Sequence, residues 1–409
     1  MRLLIISQYF LPESGAAANR IGSFANYLTR FGHQVSVVCQ VPNYPSGNIY
    51  QGYKNSIKSV SEEGGVRTIR PLTYPSQNTN IFKRLANYLL FMGGSFFAAV
   101  GEKRPDMILF SSPPIFAGLT ALTLSFVWSV PLVVDIRDIW PGVASESGNP
   151  VKRILLSPLR LLETALYKRA SAVTTVSDGM VTLLVKENPI LKGKAFAVYN
   201  GVDLNRLSDK TEEKIKRGRR TFTVIYSGTI GTQQNITVLL KAASRLKNHQ
   251  GIKFVICGTG VEDAPIRKKI SEWNLTNVKY LGLLSPQDAF VRISAADIGL
   301  VMLVGSKHND PALPSKVFDY FLERKPVLAS AGNFLKDFVE KEDCGFWIDP
   351  ENPQKLSEKI LEISGLKKEE LSRMGERGRK LVQTVFNREF QTKKLEKILQ
   401  KLPNSFPVR

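Results

Sequence analysis

The segment DPALPSKVFDYFLERKPVLAS (Asp310–Ser330) places a lysine and a carboxylate where they could hold a charged ligand. Pro314 cannot continue a preceding helix, and Ser315 suits the N-cap of a new one. Lys316 then falls in the first turn, an unfavourable place for a cation unless an anion lies there. Asp319 follows about one turn on, roughly 5 Å along the axis. A phosphate held at the helix start would bring an attached ribose close to that carboxylate. The plainer reading is a surface helix carrying an incidental lysine and acid. Two other segments tip the balance. YSGTIGTQQN sets Gly228 and Gly231 around Thr229 before a helix beginning near Ile236, and CGTGVED sets Gly258 and Gly260 at another strand end. Glycines there let backbone N–H groups approach an anion at a helix N-terminus. Each turn alone is a common strand–helix connection. Together the three segments describe a receptor for a nucleoside diphosphate, with Lys316 and N–H groups for phosphate and Asp319 for ribose hydroxyls.

These residues need strands and helices to carry them. Apolar, β-branched runs recur along the chain with helical patterns between them. LLIIS, QVSVVCQV, DMILFSS, PLVVDI and AVTTVS lie in the first half; FTVIYSG, IKFVICG, VKYLG, IGLVML and PVLAS lie in the second. Such runs alternating with helices predict parallel sheets covered on both faces. Ile21, Phe24, Ala25 and Leu28 stand at helical spacing and mark the first helix. NGVDLNRLSDKTEEKIKRGRR, after Tyr199, reads as a linker. The expected fold class is α/β: two tandem doubly wound domains, residues 1–200 and 201–385, facing a cleft. By analogy of fold, a last helix within 386–409 returns to brace the first domain.

Length and composition agree with this division. At 409 residues the chain exceeds one ordinary core, and 43% hydrophobic with 22% charged residues is the balance of a globular protein. Cys39, Cys257 and Cys344 lie far apart among apolar neighbours, which excludes a disulfide framework or CxxC metal site and suggests a reducing cytoplasm. His33, His249 and His308 have no metal-ligand spacing, and no Asp-x-Asp occurs, so no tightly held metal is expected.

The net charge of +20 calls for an anionic partner, nucleic acid or membrane. No basic segment interleaves aromatics as RNA readers do, so nucleic acid is not expected. Basic residues instead flank apolar helices in Phe82–Arg104 and Val151–Arg169. Both segments suit an anionic membrane surface; a buried helix with solvated basic ends is the alternative. The run Ile115–Val134 is long enough to span a bilayer, but Pro131 breaks it, which favours a helix followed by a strand. The opening MRLLIISQYFLP reads as a buried strand and lacks the small-residue cleavage site of a signal peptide.

Over nearly its whole length the chain resembles GT-B-fold retaining glycosyltransferases of family 4. The branch it is most similar to comprises the bacterial L-fucosamine (N-acetylamino sugar) transferases of O-antigen, capsule and colanic acid synthesis. The resemblance rests on SQYFLPESGAAANR, GHQVSVV, PNYPSGNIY, DIRDIWP, YNGVD, YSGTIG and LPSKVFDYFLERKPV, in that order. It implies a UDP-sugar donor without a metal cofactor, a polyprenyl-diphosphate-linked acceptor, and a peripheral place on the cytoplasmic membrane's inner face. It also implies donor contacts at Gly15, Leu313, Pro314 and Ser315, and a backbone contact from Leu283 to uracil. The family's Glu-x7-Glu motif has its second acid here as Asp319, while the first position falls on Pro311, beside Asp310. The family's Arg and Lys after the first strand of the second domain become Thr229 and Gln234. Lys316, helped by Arg20, would then carry more of the phosphate charge.

DIRDIWP follows a strand end, which should aim Arg137 and Asp138 into the cleft. An acid there could accept the acceptor's proton or steady the donor sugar, with Asp138 the first candidate and Asp135 another. A helix-capping role for Asp138 is the alternative. UDP-sugar 2-epimerases share the fold, but their His and acid pattern is not evident. A nucleotide-binding, inactive relative is the other alternative, because Pro311 replaces an acid.

Overall fold

The computed structural model describes residues 1–403 apart from 14, 45, 77–80, 140–155 and 205–220. Most of the expected linker, Trp140 and Pro141, and the start of the basic segment at Val151 therefore lie outside the described residues. The chain divides into two compact units, one of Met1–Asn200 with Arg388–Arg409 and one of Gly201–Asn387.

The first unit has strands β1 (Arg2–Ile6), β2 (Gln34–Val38), β3 (Lys58–Glu63), β4 (Val66–Pro71), β5 (Met107–Ser112), β6 (Leu132–Ile136), β7 (Ala172–Thr175) and β8 (Ala195–Ala197). They form one sheet in the order β3-β4-β2-β1-β5-β6-β7-β8, parallel except where β3 pairs with β4. Its helices are α1 (Ala16–Arg30), α2 (Ile81–Val100), α3 (Ala117–Val127), α4 (Ser157–Arg169) and α5 (Asp178–Glu187). Successive side chains of a strand point to opposite faces, and β1 shows why both faces are apolar. Leu4 and Ile6 join a core with Phe91, Leu124 and Leu166, under α2, α3 and α4. Leu3 and Ile5 join the other, with Ile21, Phe24 and Leu28 of α1.

The second unit pairs six parallel strands in the order β11-β10-β9-β12-β13-β14. They are β9 (Phe222–Ser227), β10 (Ile252–Cys257), β11 (Val278–Gly282), β12 (Ile298–Met302), β13 (Val327–Ser330) and β14 (Gly345–Ile348). The helices are α6 (Ile236–Arg245), α7 (Asp263–Glu272), α8 (Pro286–Ala295), α9 (Lys316–Leu322), α10 (Asn333–Lys341), α11 (Pro353–Ser364) and α12 (Lys368–Thr384). The chain then returns to the first unit as α13 (Arg388–Gln400), whose Leu395 and Leu399 pack in the core beneath α1.

All ten apolar runs are strands. The long run from Ile115 resolves into α3 and β6, and among the described residues no helix is long and apolar enough to cross a membrane. The β3–β4 hairpin, turned at Gly64 and Gly65 with positive φ, was not apparent from the sequence, and neither were β8 and β14. Both sheets are doubly wound. The strand order reverses between β1 and β5 in the first unit and between β9 and β12 in the second. At such reversals the carboxyl ends of adjacent strands diverge and leave a crevice for ligands.

Candidate active site

The reversal in the second unit is held open by a tyrosine. β9 and β12 pair at only two positions, Val224 with Ile298 and Ile225 with Gly299, before they separate. Tyr320 fills the fork. Its hydroxyl accepts a hydrogen bond from the Ser227 amide (2.9 Å) and donates to the Leu300 carbonyl (3.1 Å), replacing rungs the strands no longer make to each other. A Cβ at residue 299 would lie 2.3 Å from the Tyr320 ring, so Gly299 makes room for it. Tyr320→Phe leaves both backbone groups unsatisfied in a buried place. We expect a loss of about 1–3 kcal/mol in urea unfolding, with no change in secondary structure by circular dichroism.

The helix carrying Tyr320 is itself anchored. Val317, Phe318, Phe321 and Leu322 are buried, and the Phe318 ring lies 4.8 Å from that of Phe386. Gly378 of α12 admits the Phe321 ring, where a Cβ would come within 2.3 Å. Lys316 therefore begins a short, firmly seated helix. Ser315 occupies the N-cap position, without the side-chain cap hydrogen bond its residue type suggests.

Lys316 folds back over the first glycine turn. Its Nζ stands 3.8 Å from the centroid of the Tyr226 ring and 3.0 Å from where a Cβ on Gly228 would be. Tyr226, at the end of β9, also donates from its hydroxyl to the Thr229 carbonyl (2.6 Å), fixing the turn from below. Burial lowers the Lys316 ammonium to about 7, while nearby Asp319 opposes the shift. A half-buried lysine on an aromatic face, poised to gain a proton, is a ready receiver for an anion. Asp319 is half-buried one turn along the same helix.

The two glycine turns meet each other. A Cβ on Gly258 would stand 1.8 Å from the Gly228 carbonyl oxygen, and one on Gly260 would stand 2.4 Å from that of Ile230. Both positions need glycine because two backbones touch there, whatever they bind. The same approach uses up amides expected to face a phosphate. Gly228 donates to the Cys257 carbonyl (2.9 Å), Ile230 to that of Thr259 (3.0 Å), and Gly258 to that of Gly282 (2.8 Å). Thr229 and Gly231 are left as the amides the turn can offer. Gly231 caps the short 3-10 turn Thr232–Gln234 that leads to α6. Leu283 follows β11 at 67% exposure, and Leu313 is buried before Pro314. Asp310 is committed elsewhere: its carboxylate accepts from the Asn333 amide (2.6 Å) at the start of α10.

In the first unit the structure corrects one assignment. Arg20 was expected to reach phosphate, but it is 1% exposed and each of its guanidinium nitrogens already has a partner within the first unit. It makes a bidentate pair with Asp135 (2.7 and 3.0 Å) and donates to the Val198 carbonyl (2.7 Å) and to Asn200. The helical pattern around Arg20 hid this, because charge is visible in a sequence and burial is not. Asp135 is equally committed, since Thr174 and Ser111 also donate to it. Burial raises its carboxyl, but Arg20 overrides that and holds it below the usual carboxylate range. A base must give and take protons at working pH, and Asp135 is unfit for that. Asp138 is exposed at the end of β6. Arg137 beside it donates to Ser111 (3.1 Å) and to the Pro113 carbonyl. Gly15 caps α1 at φ 145°, a conformation suited to glycine, against Tyr44. Among the described residues no group of three His, Cys, Asp or Glu could hold a metal ion.

Residues 15–201 match the profile of the glycosyl transferase 4-like domain, and residues 208–381 match that of the glycosyl transferases group 1. Each of the two Rossmann-like α/β units thus matches one glycosyltransferase model, the two matches together span most of the chain, and its structural neighbours share the GT-B fold. Among its relatives, WcaI of Escherichia coli (strain K12), assigned to colanic acid biosynthesis as a glycosyl transferase, is 24% identical over 350 residues. That alignment covers 81% of this chain and 82% of the relative. TuaH of Bacillus subtilis (strain 168), assigned to teichuronic acid biosynthesis, is 22% identical over 231 residues, covering 55% and 57%. Among solved structures, sucrose-phosphate synthase from Thermosynechococcus elongatus has a TM-score of 0.79 at 17% identity, with 98% of each chain covered. Anabaena Alr3699/HepE in complex with UDP-glucose has a TM-score of 0.72 at 18% identity, covering 98% of this chain and 100% of that one.

Proposed function

We propose that this protein is a retaining glycosyltransferase that moves a sugar, of the N-acetylamino class, from a UDP-sugar to a polyprenyl-diphosphate-linked saccharide. The setting is assembly of a bacterial surface polysaccharide such as O-antigen, capsule or colanic acid, at the inner face of the cytoplasmic membrane. The observation that carries the reading is the convergence of Lys316 on the Gly228 turn at the β9–β12 reversal, with Asp319 one turn behind. The relatives assigned to colanic and teichuronic acid biosynthesis support the setting. The neighbour holding UDP-glucose supports the donor.

Charge development assigns the roles. Breaking the anomeric C–O bond leaves negative charge on the diphosphate and positive charge on the sugar. Lys316 and the Thr229 and Gly231 amides stabilise the leaving group without a metal. Asp319 holds ribose hydroxyls, and Leu283 lies at the strand end where uracil is expected. Asp138, exposed at the end of β6, steadies the donor sugar or receives the acceptor's proton.

Calorimetric titration of UDP, GDP, dTDP and ADP, with EDTA present, tests the reading. UDP should bind most tightly, and Asp319→Ala should weaken it by about tenfold or more, the scale of a lost hydrogen bond to a charged group. No nucleotide binding at all would leave α9 an ordinary helix and end the proposal. Tight binding without turnover of any UDP-sugar would favour an inactive relative instead.

A further inference from the structure

Helix α2 turns an apolar face to solvent. Phe82, Leu85, Leu89, Gly93, Phe97 and Val100 recur every three or four residues, which places them on one stripe of the helix. The stripe is the outer one. Phe82 is 79% and Phe97 78% exposed, and Leu85, Leu89 and Val100 are exposed between and beyond them. The inner face, with Phe91, Ala98 and Ala99, is already spent on the core. A surface helix ordinarily carries charged and polar residues outward. The patch continues onto α3, which α2 meets through hydrogen bonds from Thr120 to the Met92 carbonyl (2.7 Å) and from Ser95 to Thr120 (3.1 Å). There Leu119, Phe126 and Val127 are exposed in turn.

We infer that this α2–α3 face docks on an anionic lipid bilayer. Charge chooses the occupant. No Asp or Glu occurs within α2, while Lys83 and Arg84 stand at its start and Lys103 and Arg104 just beyond its end. Exposed Arg160 and Lys168 add to them from α4, which shares the same layer. A second copy docked face to face through the stripe would bring like charges together, whereas an anionic headgroup layer neutralises them. The helix is about 30 Å long by its rise per residue and lies along the unit's surface instead of crossing a membrane. Its rings and leucines then enter the acyl boundary while the flanking cations stay with phosphates. This deepens the proposed lipid-linked acceptor and rests on that reading for its purpose.

The test is co-sedimentation with phosphatidylcholine vesicles with and without phosphatidylglycerol. The wild type should sediment with the anionic vesicles, less with the neutral ones, and less again at high salt. Leu89→Glu with Phe97→Glu should weaken binding to anionic vesicles about tenfold or more, with circular dichroism unchanged. Lys83→Gln with Arg84→Gln and Lys103→Gln, which leave the apolar stripe intact, should weaken it in the same direction. Equal sedimentation of wild type and both variants, or no preference for anionic lipid, would overturn the inference. So would light scattering that shows a dimer broken by the glutamates while vesicle binding persists. UDP titration of the same variants should match the wild type, so a failed docking surface and a failed donor site give different results.

Discussion

Lys316→Ala is expected to lower UDP affinity about ten- to a hundredfold, the scale of charge-assisted bonds to phosphate. The loss should depend on pH in a direction set by the lysine's surroundings. Burial brings its ammonium down to about 7, so the unliganded protein holds it charged below that pH and neutral above. A diphosphate binds the charged form. Wild-type affinity should therefore fall by up to about tenfold per unit above pH 7, until the pKa of the complex is reached, and should level off below pH 7 until the terminal phosphate of UDP itself takes a proton at about pH 6. Lys316→Ala should lose that slope along with the affinity. Calorimetry in buffers of different ionisation heat would show proton uptake on UDP binding near pH 8, absent in the variant. Equal affinity for the two proteins across the range would remove Lys316 from the phosphate site. Linkage also fixes the unliganded stability. The folded state binds fewer protons than the unfolded chain between about 7 and 10.5, so this residue makes stability rise with pH across that window.

Breaking the Arg20–Asp135 pair should have the largest effect on folding. Arg20→Met or Asp135→Ala leaves one buried charge uncompensated, at a cost of about 3–5 kcal/mol, which should appear as a lower urea midpoint. The pair ties α1 to β6, and its further bonds reach Thr174 of β7 and the Val198 carbonyl. Replacing both partners with apolar residues of similar volume, as in Arg20→Met with Asp135→Leu, should recover much of the loss. A double variant no more stable than the singles would mean that the surrounding bonds, not the charge, matter most. Because Arg20 holds the Asp135 carboxyl below its ordinary value of 3.8 against the upward push of burial, the pair's contribution is complete above about pH 4. It is lost as pH falls below that value. Acid unfolding of Asp135→Ala should therefore begin from a lower baseline and show a shallower dependence on pH.

The sheets were legible in the sequence because a strand buried on both faces must be largely apolar, as in LLII and MILF. β3 was not, because KSVSEE is largely exposed and its pairing with β4 needs no continuous apolar run. The glycine turns were legible as turns, but their first cause was not. Gly258 and Gly260 are glycines because they rest on the backbone of Gly228 and Ile230, and that contact joins segments 30 residues apart in the chain. Tyr320 is inconspicuous in the sequence because a tyrosine among Phe318, Phe321 and Leu322 looks like core. It is core, yet its hydroxyl also serves the reversal point. Arg20 shows the opposite error: a cation near a glycine loop looked available, and only the fold reveals that Asp135 holds it.

The return of α13 to the first unit has a consequence for how the protein is made. The second unit is one unbroken stretch, Gly201–Asn387, and all of its strands are synthesised before α13. The first unit begins earlier but finishes later. Until Leu395 and Leu399 emerge, the core beneath α1 lacks part of its cover, so apolar surface around Ile21, Phe24 and Leu28 remains open during synthesis of everything between. The domain started first is completed last, and the nascent chain carries one incompletely covered core until its final helix is made, the interval in which a chaperone has most to protect.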